Sequence, residues 1–308
     1  MNTVAVSVQG SPSDISSWTA LARRVEAAGF EALLVGDHPG SGPSPWPALG
    51  AAAAVTDSLK LGTCVLQCGA REPLDIASDA ATLNLLAPGR VVLGMGAGHT
   101  PAEWTARGTD RPNSADRVGR LKEIVDAVAG LLNGETVTAA GRYTTLDEAK
   151  LDDLPISGGV TLSIGGGNAE LLRFAAEHAD IVGLSGLGRT KPDGHRHEIR
   201  WLPAQIQSQL QAVAEVSAAT GRTPAIEALV QTVEETTDRR SAAEAFAGQI
   251  GGYIPADALL TAPFALFGTP RQMADQLSQQ QETLGIHRYV VRDSTLPVME
   301  RVLEYLAR

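Results

Sequence analysis

The chain has 308 residues, 44% of them hydrophobic and 19% charged, a globular composition with room for one large core or two ordinary domains. Its net charge of −10 speaks against a nucleic-acid partner, whose phosphates demand a basic face, so any anionic ligand must be met by local donors. No apolar run approaches the ~20 residues of a membrane span, no signal-peptide pattern follows Met1, and Cys64 and Cys68 alone allow neither a disulfide framework nor a four-cysteine zinc site, so a cytoplasmic protein is expected.

Apolar strand-like runs alternate with helical patterns from one end to the other. TVAVSVQ at 3–9 reads as the first strand, and 14–28 as a helix with Trp18, Leu21, Val25 and Ala28 on one face. EALLVGDH is the second strand, followed by an alanine-rich helix after Pro45. LKLGTCVLQ is the third, with a helix from about Pro73 to Leu86 behind it. RVVLGMGAG is the fourth. Its long connection ends in a helix that carries Val118, Leu121, Val125, Val128 and Leu132 on one stripe.

VTLSIGGGN and AELLRFAAEHA form the fifth unit. DIVGLSG is strand six, followed by a charged loop and a helix over roughly 197–220. AIEALVQTV is strand seven. Thr269-Pro270-Arg271-Gln272 reads as a capping box opening a helix with Met273, Leu277 and Leu284. HRYVVRD is strand eight, and a helix follows it.

Eight strand–helix units with no linker between them make an α/β protein, a (β/α)8 TIM barrel in one domain over 1–308. A doubly wound sheet is the runner-up, but it needs about six strands and a switch point. The connections 134–157 and 185–200 exceed what such units need, and are expected as insertion loops at the strand C-terminal face.

The unusual residues then fall at strand ends, where a barrel builds its site. Asp37 and His38 follow strand two, and Cys64, Val65 and Leu66 end strand three. Gly96, Ala97, Gly98 and His99 end strand four, Gly165, Gly166, Gly167 and Asn168 strand five, and Ser185 and Gly186 strand six. The strand-four run departs from the dinucleotide fingerprint, because His99 stands at its third glycine and the glycines at 94, 96 and 98 alternate.

The triple glycine between a strand and a helix is an anion site or a plain tight turn. Ser185 and Gly186 would add a hydroxyl and an amide to the same anion. Arg189, Lys191 and Arg196 supply basic side chains just beyond, or simply line a solvated loop. An imidazole titrates close enough to neutrality for proton transfer, which makes His38 a candidate; a loop histidine that is merely hydrogen-bonded is the other reading. His195-Arg196-His197 offers at most two metal ligands, and no further ligand at metal spacing joins them. No metal is expected.

Six stretches, VEAAGFEALLVGDH, LKLGTCVLQ, IASDAATLNLLAPGRVVLGMGAG, RVGRLKEIVDAVAGLLNGE, SIGGGNAELLRFAAEHAD and FGTPRQMADQLSQQQETLGI, together resemble the luciferase-like monooxygenase family, in its branch that uses the deazaflavin coenzyme F420. The resemblance covers most of the chain. It implies a flavin-type ring at the strand C-terminal ends, with Asp37 and His38 bordering it and a cis peptide between Cys64 and Val65 backing it. Gly98 would approach the ring, Gly165 to Gly167 its phosphate, and Ser185 with Gly186 the same tail. Arg189 and its basic neighbours would meet the acidic tail of F420. Relatives that oxidise sugar phosphates place an acid–base glutamate where His99 stands; here His99 either replaces it or lines the pocket.

The resemblance implies an F420-dependent oxidoreductase passing hydride between deazaflavin C5 and a small organic substrate, with His38 and then His99 as candidates for the proton. FMN is the alternative cofactor, in a luciferase-like monooxygenase or a non-catalytic flavin-binding relative. Family members are often dimers, so a homodimer is a further implication.

Overall fold

The computed structural model describes residues 4–152, 154, 159–191 and 196–307. Eight parallel strands close into a barrel: β1 (Ala5–Gly10), β2 (Ala32–Val35), β3 (Lys60–Thr63, resuming at Leu66–Gln67), β4 (Val91–Gly96), β5 (Val160–Gly166), β6 (Ile181–Leu184), β7 (Ala225–Leu229) and β8 (Ile286–Arg292). β1 pairs with β2 and β8, and the ring closes where Leu61 and Gly62 of β3 meet Val91 and Val92 of β4. Glycine is required at that seam, because a Cβ on Gly62 would stand 1.9 Å from the Val92 carbonyl oxygen.

The helices of the first half are α1 (Ile15–Ala27), α2 (Pro45–Ala53), α3 (Pro73–Leu86), α4 (Pro101–Thr105) and α5 (Ser114–Leu132). The second half adds α6 (Ala169–His178), α7 (Pro203–Thr220), α8 (Arg239–Gln249), α9 (Ala256–Leu259), α10 (Pro270–Leu284) and α11 (Leu296–Leu306). Their ends follow local chemistry. Asp14, Asn113 and Asn168 cap α1, α5 and α6 through their side chains, Thr269 and Gln272 form the capping box of α10, and Gly221 and Gly285 end α7 and α10 in the left-handed conformation.

Strand alternation splits the apolar residues into two sets. Leu33, Val35, Leu61 and Val91 pack with the helices in the large outer core. Ala32, Leu34, Val92, Ile181 and Val290 form a separate cluster without a helix residue, drawn from β2, β4, β6 and β8. Contribution by alternate strands is the layered filling of a barrel interior. The interior is a packed core, and ligands are left the mouth.

Four expectations are corrected. Residues 197–199 do not begin a helix: they form a strand, His197–Ile199, antiparallel to Leu187–Thr190, and α7 starts only at Pro203, because the chain after β6 doubles back as a hairpin. The connection 134–157 holds another hairpin, Val137–Ala140 with Thr145–Ala149. It lies along α5, where the Tyr143 hydroxyl donates to Asp116 and Glu123 accepts from the Arg142 and Tyr143 amides, and so follows a helix instead of lining the mouth. The seventh strand ends at Leu229, and Thr232–Glu235 pairs in parallel with Ala265–Gly268 outside the barrel. The third strand breaks at Cys64 and Val65.

Candidate active site

Two buried carboxylates organise the mouth. Asp37, just past β2, is 3% exposed and accepts from the Gln67 amide at 3.0 Å and from Arg71 Nε and Nη2 at 2.8 and 2.9 Å. Its hydrogen bonds hold the Arg71 guanidinium above the ordinary arginine range. Glu103, in the first turn of α4, is 2% exposed. Its Oε1 lies 2.7 Å from His38 Nδ1, and its Oε2 accepts from Gln67 Nε2 at 3.1 Å. Gln67 therefore ties the two carboxylates together, main chain to one and side chain to the other.

A carboxylate on Nδ1 fixes an imidazole's tautomer and ring plane, leaving Nε2 as the nitrogen that exchanges protons with a ligand. The His38 side chain is 49% exposed, so that face is reachable.

Between the two parts of β3, the Cys64–Val65 peptide is cis, as the resemblance implies. The Gln9 side chain donates to the Cys64 carbonyl. The glycines of β4 and Gly98 just after it make room for this bulge. A Cβ on Gly94 would stand 2.1 Å from Thr63 O, one on Gly96 2.4 Å from Val65 Cγ2, and one on Gly98, at φ +72°, 2.6 Å from the Gln67 carboxamide. Gly165 approaches the same Val65 side chain, where a Cβ on it would meet Cγ1 at 3.3 Å. Burial pushes the Cys64 and Cys68 thiols up to about 12, so neither serves as a nucleophile near neutrality.

His99 comes to the mouth from β4. Its ring centroid is 6.0 Å from that of His38 and 4.9 Å from that of His197, which arrives on the hairpin after β6. Loss of water first, then the neighbouring His197 and His38 rings, push the His99 imidazole down to about 4. The residue as a whole remains exposed, so water screens part of that effect.

Two arginines outside the expected site stand close by. Arg111 Nη2 donates to Thr190 Oγ1 of the hairpin at 3.3 Å, while the buried Nε atoms of Arg111 and Arg117 have no partner among the described residues. Desolvation lowers both guanidiniums, and with the added charge of Arg111 it brings Arg117 down to about 10. Among the described residues, no carboxylate pairs with either one.

At the fifth strand end, Gly165 and Gly166 are still strand, and only Gly167 and Asn168 turn into α6. Asn168 Oδ1 caps the Leu171 amide at 2.7 Å, and Gly167 O accepts from Arg200 Nη1 and Gln209 Nε2, each at 3.0 Å. Ser185 Oγ accepts from the Leu187 amide at 3.2 Å, and Gly186, at φ +69°, lies against Trp201 and Phe264. Arg189 is exposed on the hairpin, and Arg200, not Arg189, reaches the α6 turn. His195 lies outside the described residues, among which no group of three or more His, Cys, Asp or Glu is placed to hold a metal. No helix among them is long and apolar enough to cross a membrane.

With this geometry in view, the sequence pattern of the luciferase-like monooxygenase family matches residues 2–288. The chain belongs to that family. This luciferase-like monooxygenase family member is 36% identical over 190 residues to an F420-dependent glucose-6-phosphate dehydrogenase of Beutenbergia cavernae, covering 59% of this chain and 55% of the relative. The chain thus spans about half the length of the curated relatives it matches. Among solved structures, its fold is similar to an F420-dependent secondary alcohol dehydrogenase in complex with an F420–acetone adduct, at 19% identity, TM-score 0.74, and 97% and 99% of the two chains. It is also similar to the F420-dependent tetrahydromethanopterin reductase of Methanopyrus kandleri, at 20% identity, TM-score 0.76, and 97% of each chain.

Sequence reasoning misses Glu103, Gln67, Arg71, Arg111 and Arg117. Glu103 has a signal: it sits two residues after Pro101, in the first turn of a short helix directly behind His99. Gln67 closes the third strand-like run and Arg117 opens the RVGRLKEIVDAVAGLLNGE stretch, whereas Arg71 and Arg111 have no signal short of the folded chain.

Proposed function

We propose that this protein is an F420-dependent oxidoreductase that passes hydride between deazaflavin C5 and a small organic alcohol or carbonyl compound. The observation that carries this reading is the His38–Glu103 pair at the barrel mouth, a half-exposed imidazole held by a buried carboxylate beside the Cys64–Val65 bulge. The names of its relatives and of two structural neighbours, all F420-dependent, support the choice of cofactor.

The residues present fit such a group. F420 carries a phosphate and an acidic tail, and Arg111 and Arg117 offer desolvated cations with unpartnered Nε–H groups on a chain of net charge −10. Gln9 Oε1 and Gln67 Oε1, buried without a partner among the described residues, are acceptors available to the polar edge of a ring system. Asp37, Val65, Gly98 and the β5–α6 turn border the same space in this reading. When bound, the deazaflavin supplies the hydride chemistry.

The chain's own residues handle the proton. Glu103 holds His38 Nδ1, and Nε2 takes the hydroxyl proton of an alcohol or returns one to a carbonyl oxygen. Arg71 and Gln67 keep Asp37 and Glu103 in place without touching the substrate.

Incubating the purified protein with F420 and with FMN, then testing alcohols and sugar phosphates for turnover, tests this reading. Tighter F420 binding with turnover supports it. FMN retained on purification, with oxygen consumed, would replace it with the monooxygenase reading, and F420 binding without any turnover would favour a non-catalytic relative.

A further inference from the structure

We propose that His197 is a positioning residue acting through His99: it reaches in from the hairpin after β6 and holds the His99 ring edge-on at the mouth, so that His99 hydrogen-bonds a substrate oxygen while His38 moves the proton. This inference rests on the oxidoreductase reading above.

The geometry is specific. The rings of His99 and His197 are 4.9 Å apart at 64°, an edge-to-face contact, and His99 stands at 90° to His38 at 6.0 Å. His197 is itself registered: it pairs with Thr190 across the hairpin, and Thr190 Oγ1 accepts from Arg111. The backbone that delivers His99 is defined on both sides, by Gly98 in the left-handed region and by Pro101 at the start of α4. The contact therefore joins two separately anchored elements.

Among the described residues, the charged groups facing His99 come from four elements: His38 from the end of β2, Glu103 from α4, Arg111 from the connection before α5, and His197 from the hairpin. Glu103 is the only acid among them, and its two oxygens are already engaged by His38 and Gln67. A second cation at His99 is disfavoured, in agreement with its lowered titration. Above that range His99 is a neutral imidazole with one N–H and one lone pair, able to donate to or accept from an alcohol or carbonyl oxygen.

The test compares His197→Phe, which keeps a flat ring, with His197→Ala, which does not. In the cofactor-free protein, NMR titration of the His99 ring should move up in both variants, since a basic neighbour is gone; the alanine variant also admits water, which favours the imidazolium. After loading with F420, alanine should raise KM roughly 3- to 10-fold with little change in kcat, and phenylalanine should leave KM near wild type. An unmoved His99 titration in both variants, or equal KM in the alanine variant and wild type, would overturn the proposal. Should the alanine variant not fold, the phenylalanine titration decides alone. If the wild type binds no F420, the oxidoreductase reading fails, while the titration still reports whether His197 governs His99.

Discussion

Replacing Asp37 by alanine removes the acceptor of three hydrogen bonds at once, two from Arg71 and one from the Gln67 amide. Breaking a fully buried ion pair costs ~3–5 kcal/mol, because the surviving charge is left without compensation. Asp37 is buried, but the Arg71 side chain is 23% exposed, so water can recover part of its solvation. The expected loss is at the lower end, ~3 kcal/mol, equivalent to roughly 5 °C in melting temperature for a chain of this size. Asp37→Asn keeps one oxygen and should lose ~1–2 kcal/mol. Urea and thermal unfolding followed by circular dichroism measure both. The decisive comparison adds Arg71→Met: the double variant should be more stable than the sum of the singles predicts, by at least ~1.5 kcal/mol. An alanine variant within ~0.5 kcal/mol of wild type, or strict additivity with Arg71→Met, would refute the assignment of Asp37 as the buried anchor of the mouth.

Three other outcomes are expected. His38→Ala should keep its fold, since the side chain is half exposed, and lose about 10²–10⁴-fold in turnover, with Glu103→Gln falling less; steady-state kinetics on the F420-loaded enzyme checks this, and an unchanged His38→Ala rate would shift the proton to another group. F420 should bind more tightly than FMN, with the advantage shrinking as salt rises; Arg111→Met and Arg117→Met should weaken F420 more than the Arg189→Ala and Lys191→Ala pair, which fluorescence titration at two ionic strengths would show, and equal effects would place the anion elsewhere. Gly94→Ala should leave little soluble folded protein, because its Cβ meets a backbone oxygen at 2.1 Å, whereas Gly50→Ala in α2 has open space and should gain up to ~1 kcal/mol in unfolding experiments.

By itself the sequence determined the order of the eight strand–helix units, because alternation and helical periodicity are local and repeat within a few residues of themselves. It determined helix ends in the same way, as the Thr269–Gln272 capping box and the glycines closing α7 and α10 show. It also brought Asp37, His38, Cys64, Val65 and His99 under suspicion, since strand ends in a barrel share one face. Only the tertiary structure decided what these residues do to one another. Glu103 reaches His38 across 65 positions of chain, and Asp37 reaches Arg71 across 34, distances over which no periodicity carries information. Gly94, Gly96 and Gly98 look like room for a ligand in the sequence, and much of that room is taken by Thr63, Val65 and Gln67 from the strand alongside. The hairpin that carries His197 to His99 has the sequence of a loop entering a helix, because two strands of three or four residues are too short to display alternation. Their identity as strands comes from pairing with each other, and pairing is a property of the folded chain.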